Sequence, residues 1–408
     1  MSKTVIIVGA GQAGAELASQ LRRHGYRDRI ILIGEEPYPP YRRPPLSKTY
    51  LTGEANLESL YLQRLEFYEK QGIECRFGTG VETIDPAARV LRLFDGTRLS
   101  YDKLALTTGG RNRRLSVPGA DKPNVHHIRT IADVERLKPA FAAARRLVII
   151  GGGYIGLETA AAGIKKGLCV TVLEALPRIL ARVTAPEISA FYQRVHRARG
   201  VDLRTGVGVQ ALEGKDKAEH VVLTDGTRLS ADLVIVGIGL IPNTELAEVA
   251  GLDVSNGIVV DRHALTSDPH IVAAGDCANH ENVFLGRRVR LESVPNALEQ
   301  ARVAAATLVG KPRVHDAVPW FWSDQYDIKL QMVGLSQGYD TLVIRGDPDT
   351  ESFLAFYLKD GVVISADAVN RSQEFMVVKS MVAARSAIPA EKLSDEKKPL
   401  KDLLPQSS

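Results

Sequence analysis

The sequence predicts an α/β protein made of two parallel-sheet units of one design, followed by a C-terminal α+β domain. Three observations carry this. A β-branched run leading into G-x-G-x-x-G and then an Ala/Leu/Glu-rich stretch occurs twice, as VIIVGAGQAGAELA over Val5–Ala18 and LVIIGGGYIGLETA over Leu147–Ala160. The order of elements after each copy repeats as well, which marks an internal duplication. From Pro319 the texture changes to Trp320, Phe321, Trp322 and Tyr326, then to alternating strands through Asp367.

In the first unit, Val5–Val8 reads as a buried parallel strand. Gly9 allows the tight strand-to-helix turn, Gly11 lets the backbone approach a pyrophosphate, and Gly14 lets helix and strand pack closely. The helix start offers free N–H groups to phosphate. A second strand, Arg29–Gly34, ends at Glu35, about 20 residues past the fingerprint, where a carboxylate suits adenosine ribose hydroxyls. Glu36–Gln71 interrupts the pattern, and Pro37, Pro39, Pro40, Pro44 and Pro45 make its first part a structured loop. Asp95-Gly96 sets a hairpin within Val90–Tyr101, and Lys103–Gly110 is a buried strand ending in glycines.

The second unit runs in the same order. Gly151, Gly153 and Gly156 repeat the fingerprint, and Cys169–Leu173 ends at Glu174, whose charge repels a 2′-phosphate and so favours NADH over NADPH. Val221–Leu229 repeats the Asp-Gly hairpin and Leu233–Gly239 the glycine-ended strand. Beyond it, a strand at Ile271–Ala274 delivers Gly275-Asp276, and Ala297–Leu308 is an Ala-rich helix. Two fingerprints in one chain predict two different dinucleotides, as in a flavoprotein reduced by a nicotinamide. The boundaries expected are 1–112 with 241–318 for a discontinuous first nucleotide-binding domain, 113–240 for the second, and 319–408 for the α+β domain. Gly334–Gly338 (GLSQG) matches a nucleophile elbow, but that motif needs strand, turn and helix, whereas Thr341–Arg345 reads as another strand, so a hairpin turn is expected. The Asn370-Arg371-Ser372 sequon carries no weight in a protein expected to be cytoplasmic.

The 408 residues suggest two or three domains, and a 45% apolar fraction supplies a sizeable core. A formal charge of +4 gives no argument for nucleic acid. The longest apolar stretch, Leu233–Ile241, is too short to span a bilayer, and the chain enters a strand too early to leave room for a signal peptide, so a cytoplasmic protein without membrane contact is expected. Only Ser394–Ser408 looks loose. Cys75, Cys169 and Cys277 lie far apart, which excludes a C-x-x-C dithiol, and the histidines lack metal-ligand spacing, so no metal is expected.

Five blocks carry a family resemblance: PPLSK (Pro44–Lys48), VIIGGGYIGLE (Val148–Glu158), GIGLIPN (Gly237–Asn243), ESVPNALEQA (Glu292–Ala301) and PWFWSDQY (Pro319–Tyr326). Over nearly its whole length the chain resembles the glutathione-reductase-like two-dinucleotide flavoproteins. Within them it resembles the NADH-dependent ferredoxin reductases of bacterial P450 and dioxygenase systems. The resemblance implies two Rossmann-like domains, the first fingerprint (Gly9, Gly11, Gly14) binding FAD and the second NADH. It implies FAD contacts at Ala13, Glu35, Lys48, Val81, Arg129, Asp276 and Val294, with Lys48 beside the isoalloxazine. For NADH it implies Gly151, Gly153, Tyr154, Ile155, Gly156, Glu158 and Glu174. By the same resemblance Tyr154, after the Gly151-Gly152-Gly153 run, is expected to cover the flavin face and move aside for nicotinamide. Glu158, one turn further along the same helix face, is expected to pair with Lys48 and orient it. Two departures stand out. Glu35 replaces an Asp common among close relatives, and the basic Tyr41-Arg42-Arg43 run makes Arg43 a candidate extra FAD contact.

The chemistry needs no side-chain acid, base or nucleophile. NADH gives a hydride, a [2Fe–2S] cluster takes single electrons, and flavin does both, so Lys48, Glu158 and Tyr154 are expected to orient and tune. The alternatives are the reductase of a Rieske-type dioxygenase, a flavin NADH oxidase or peroxidase, and an NADH-sensing flavoprotein. A peroxidase or disulfide reductase needs a cysteine where Ser47-Lys48 stands. The expected partner is a small acidic [2Fe–2S] ferredoxin, docking at Arg302 and Trp322 by resemblance, with Arg287, Arg288 and Arg290 adding a basic patch that steers it. The protein itself is expected to be a monomer or weak dimer.

Overall fold

The computed structural model describes Lys3–Leu404. The chain divides into two compact units. The first contains the chain up to Arg42, Leu57–Arg111 and Ile241–Ala317; the second contains Arg43–Asn56, Asn112–Leu240 and Val318 onward. The segment carrying PPLSK therefore groups with the second fingerprint, not with the first.

The first unit is organised by a five-stranded parallel sheet. Thr4–Val8 lies at its centre, flanked by Arg29–Gly34 and Lys103–Leu106, with Ile73–Phe77 and Ile271–Ala273 at the edges. Thr4–Val8 and Arg29–Gly34 are β-branched runs buried on both faces, which is why they do not alternate. One face is covered by the helices Gln12–Arg23 and Val294–Leu308, whose Leu17, Leu21, Ala301 and Ala304 pack with Val5, Ile7 and Leu32. The other is covered by the antiparallel sheet Val81–Asp85, Val90–Leu93 and Arg98–Ser100.

The second unit repeats this plan. Arg146–Ile150 is central, between Cys169–Glu174 and Leu233–Val236, with Asp202–Thr205 and Val125–His126 outside them, all parallel. The meander Val209–Glu213, His220–Leu223, Arg228–Ser230 matches that of the first unit. The duplication read from element order thus holds at the level of strand order. The C-terminal part adds a five-stranded antiparallel sheet and the helix Ser372–Ala383, an α+β arrangement.

Two expectations are corrected. Ser336 lies between Ile328–Gly334 and Thr341–Asp347, which are strands as expected, but they do not form a hairpin. The first pairs with Val362–Val369 and the second with Ser352–Lys359 at the far edge, so the segment is a crossover connection. The tail is not loose through Leu404. Leu393 and Leu400 are buried, and the buried Arg345 guanidinium donates to the carbonyls of Leu393, Asp395 and Lys398. The remainder of that stretch, 405–408, lies outside the described residues.

Candidate functional site

In the first unit the turn after Thr4–Val8 is held from below. Gly9 has φ +109°, and a Cβ there would stand 2.2 Å from the Thr107 carbonyl oxygen. Thr107 returns a hydroxyl to the Gly9 carbonyl at 2.7 Å, locking the strand end to the loop. A Cβ on Gly14 would stand 2.1 Å from the Gly9 oxygen, so helix and turn are in backbone contact. Gly11 is different, because beyond its own chain neighbours no atom lies within 4 Å of where its Cβ would be. It caps the helix Gln12–Arg23 with no side-chain hydrogen bond, leaving the first-turn N–H groups to a ligand.

Ala13 sits in that first turn, and a Cβ on Gly275 would come within 3.2 Å of its methyl. Asp276 follows Gly275, and Val294 is the first residue of the helix capped by Ser293. Ala13, Asp276 and Val294 therefore belong to three adjoining element ends. Gln300 accepts the Gly275 N–H at 2.7 Å and donates to Nδ1 of His280, also at 2.7 Å. Glu35 follows its strand as an exposed side chain, and the buried Val81 begins a strand beside it. These groups fit a dinucleotide, with an open glycine, unused helix N–H groups, and carboxylates at both strand ends.

The second unit repeats the cradle. Gly151 has φ +115° with its Cβ position 2.3 Å from the Gly237 oxygen, Gly153 faces open space, and the helix Tyr154–Lys165 has no side-chain cap. A Cβ on Gly156 would stand 2.1 Å from the Gly151 oxygen. Glu174 accepts the N–H of Gly152 through one oxygen and that of Leu176 through the other, both at 2.8 Å. Those bonds fix its rotamer at the mouth of the turn and leave lone pairs for ribose hydroxyls. Ile155 is an exposed apolar side chain at the same helix start.

Lys48 and Glu158 meet in this unit. Lys48 Nζ lies 2.9 Å from Glu158 Oε1, with Glu158 only 4% exposed. The carboxylate is fully engaged, accepting the Ser47 hydroxyl at 2.7 Å on one oxygen and the Ser323 hydroxyl at 2.8 Å on the other. Arg43 donates to the carbonyl of Arg129, joining two of the expected contacts. Tyr154 donates its hydroxyl to the sulfur of Met332 at 2.9 Å, and its ring lies 4.9 Å from that of Phe321. Burial raises its phenol pKa well above the usual range.

The arginines expected to steer a partner are mostly engaged. Arg302 pairs with Glu16 and Glu299, Arg290 with Glu292, and Arg288 donates to the carbonyls of Val260 and Asn279. Trp322 is half-buried against Trp320 and Phe321.

Residues 3–301 match the family described as pyridine nucleotide-disulphide oxidoreductase, and residues 320–404 match the reductase C-terminal family. The chain belongs to the pyridine nucleotide-disulphide oxidoreductase family. It is 49% identical over 406 residues to putidaredoxin reductase of Pseudomonas putida, covering 98% of this chain and 96% of that protein. It is 46% identical over 401 residues to the ferredoxin reductase subunit of 5,5′-dehydrodivanillate O-demethylase of Sphingobium sp., covering 98% and 97%. Its fold matches the crystal structure of the covalent putidaredoxin reductase–putidaredoxin complex with a TM-score of 0.95, at 49% identity and 98% of each chain. The fold class read from the sequence, two dinucleotide-binding units with a C-terminal domain, is that of this family.

The disulphide in the family's description has no counterpart here. Cys75, Cys169 and Cys277 are all free. Burial raises the Cys75 thiol to about 11, and Cys277, although beside Asp276, turns its buried sulfur to the carbonyls of Leu106 and Ala274. Neither is a ready thiolate. Sequence reasoning missed Ser47, Ser323, Gln300 and Met332. The two serines stand inside the PPLSK and PWFWSDQY blocks, but nothing in their spacing announces a shared carboxylate.

Proposed function

We propose that this protein is an FAD-dependent NADH:ferredoxin reductase, passing single electrons to a [2Fe–2S] ferredoxin that feeds a cytochrome P450. The observation that carries it is the pair of phosphate-ready turns in a chain whose thiols are isolated. Two dinucleotides are accommodated, and no internal disulfide is there to receive the electrons. The relatives named above agree in class, and one of them is complexed with its redox protein partner.

Flavin supplies the conversion from a two-electron hydride donor to single-electron transfer. The chain's own groups do the rest. Gly11 and Gly153 admit a pyrophosphate to the uncapped helix starts, and Glu35 and Glu174 accept ribose hydroxyls. Lys48, held by Glu158, would supply a fixed positive charge to a bound flavin, and Tyr154 would shield the flavin face and give way to nicotinamide. We assign the flavin to residues 1–112 and 241–318, the nicotinamide nucleotide to 113–240, and partner docking to Arg302 and Trp322. Arg43, Val81, Arg129, Asp276 and Val294 complete the flavin contacts. An acidic ferredoxin, a cytoplasmic location and a monomer or weak dimer complete the proposal. Among the described residues no helix is long and apolar enough to cross a membrane.

Stopped-flow reduction with NADH and NADPH, followed by reoxidation with a panel of [2Fe–2S] ferredoxins, tests it. Fast reduction by NADH and fast reoxidation by a P450-system ferredoxin are expected. Fast reoxidation only by a Rieske-system ferredoxin assigns the protein to a dioxygenase, and fast reoxidation only by oxygen refutes the ferredoxin reading.

A further inference from the structure

Glu158 ends a line of buried polar groups that runs into the C-terminal sheet. Ser323 Oγ lies 2.8 Å from its Oε1, Gln325 Nε2 3.2 Å from that Oγ, and His196 Nε2 2.8 Å from Gln325 Oε1. The Tyr326 hydroxyl lies 3.0 Å from His196 Nδ1. Ser323, Gln325 and His196 have no exposed surface. The sense of every bond follows from the first. A carboxylate only accepts, so Ser323 must give its one proton to Glu158. Its lone pairs then face Gln325, which must turn its NH2 to the serine and its carbonyl to the histidine. His196 is left donating from Nε2 and accepting at Nδ1, where Tyr326 donates. Burial keeps this imidazole neutral by lowering its pKa to about 4. At the outer end the Arg199 guanidinium lies 4.7 Å over the Tyr326 ring and pairs with Asp327 and Glu351.

We propose that Tyr326, His196, Gln325 and Ser323 form a one-way donor line that orients the Glu158 carboxylate and, through it, fixes the Lys48 ammonium at the flavin. They are positioning residues, and the proposal rests on the reading that Lys48 faces the isoalloxazine. It gives the C-terminal domain a part in setting the flavin's potential. Loss of the Ser323 hydroxyl leaves the charge on Glu158 less compensated, and Lys48 is drawn to it and its field offset. Both changes disfavour added negative charge on the flavin.

The test is a spectroelectrochemical titration of the purified holoprotein and its variants, with 15N NMR of the imidazoles in the unsubstituted protein. Ser323→Ala lowers the equilibrium constant for flavin reduction about tenfold, about 30 mV for a two-electron couple. His196→Leu shifts it the same way, and His196→Gln, which keeps a donor near the Nε2 position, restores it. Glu158→Gln removes a negative charge and moves the potential upward. The NMR spectrum shows His196 as the Nε2–H tautomer, unchanged from pH 5.5 to 8. An Nδ1–H tautomer refutes the line even if every variant fails to fold. A shift with Glu158→Gln but none with Ser323→Ala or His196→Leu refutes the line while leaving Lys48 at the flavin. No shift with Glu158→Gln refutes the placement of Lys48 itself.

Discussion

Gly11→Ala and Gly153→Ala separate folding from dinucleotide binding. Each puts one methyl where no protein atom beyond its chain neighbours lies within 4 Å, at φ −91° and −82°, both ordinary for an L-residue. Neither substitution collides with the chain. The alanine also restricts the unfolded ensemble, so stability of the apoprotein should be unchanged or raised by about 0.4–1 kcal/mol. On the proposed assignment, what the methyl meets is a bound pyrophosphate. If it displaces the phosphate from one N–H, a charge-assisted hydrogen bond of about 1.5–3 kcal/mol is lost, roughly 10- to 150-fold in affinity. Gly9→Ala is the contrast, since its methyl would stand 2.2 Å from a carbonyl oxygen at φ +109°, and it should not fold normally. The assay is urea unfolding of apoprotein together with flavin absorbance after dialysis. Gly11→Ala should fold like its parent and lose FAD, while Gly153→Ala should keep FAD and show a raised KM for NADH. A Gly11→Ala protein that keeps FAD as tightly as its parent would falsify the assignment of the first turn to pyrophosphate.

Three further outcomes are expected. Glu174→Gln should lower the ratio of kcat/KM for NADH over NADPH at least tenfold, about 1.4 kcal/mol, because it removes the charge that repels a 2′-phosphate; an unchanged ratio in steady-state assays rejects that role. Burial lowers His127, His196 and His315 to about 4 and His280 to about 3, so each stays neutral in the fold where the unfolded chain takes up a proton. Their contribution is present above the unfolded value near 6.5 and is lost as pH falls toward 4. Asp367, raised to about 7 by burial, works the other way over the same window, so the unfolded chain binds about three more protons near pH 5.5 and stability should fall by about 4 kcal/mol per pH unit. Urea midpoints at pH 7, 6 and 5 check this, and a slope below one proton rejects it. Asp367→Asn keeps an acceptor for the Tyr357 hydroxyl, now 2.6 Å from the carboxyl, and should gain about 2 kcal/mol on its parent between pH 5.5 and 7; a gap independent of pH in paired urea titrations counts against a protonated carboxyl there.

Much of the fold was legible because its constraints are local. Gly9, Gly14, Gly151 and Gly156 are required by backbone oxygens within 2.4 Å of a Cβ that is absent, and the strands beside them are continuous apolar runs. The pairing of Lys48 with Glu158 was legible only through the PPLSK block, since the partners are 110 positions apart and neither is unusual alone. The serines were not legible at all, because a buried hydroxyl and an exposed one look the same in sequence. The segment around Ser336 shows the limit from another side. Turn chemistry predicts that a chain reverses, but sheet order decides where the next strand goes, and here Val362–Val369 takes the place beside Ile328–Gly334. The tail looked loose because its charges and prolines were visible, whereas its anchor, Arg345, lies on a distant strand.

The first sheet has a consequence for how the protein is made. Its edge strand Ile271–Ala273 and its covering helix Val294–Leu308 come from the far side of the second fingerprint in the chain. On the ribosome, the side of Gln12–Arg23 that Val294–Leu308 covers therefore stays open while the whole second parallel sheet is synthesised. The second sheet closes with strands up to Leu233–Val236 and is complete sooner than the first. The two parallel sheets are thus completed in reverse order of their coding, and in the interval the first keeps one edge unpaired and its helix uncovered on one side, a state open to unwanted association.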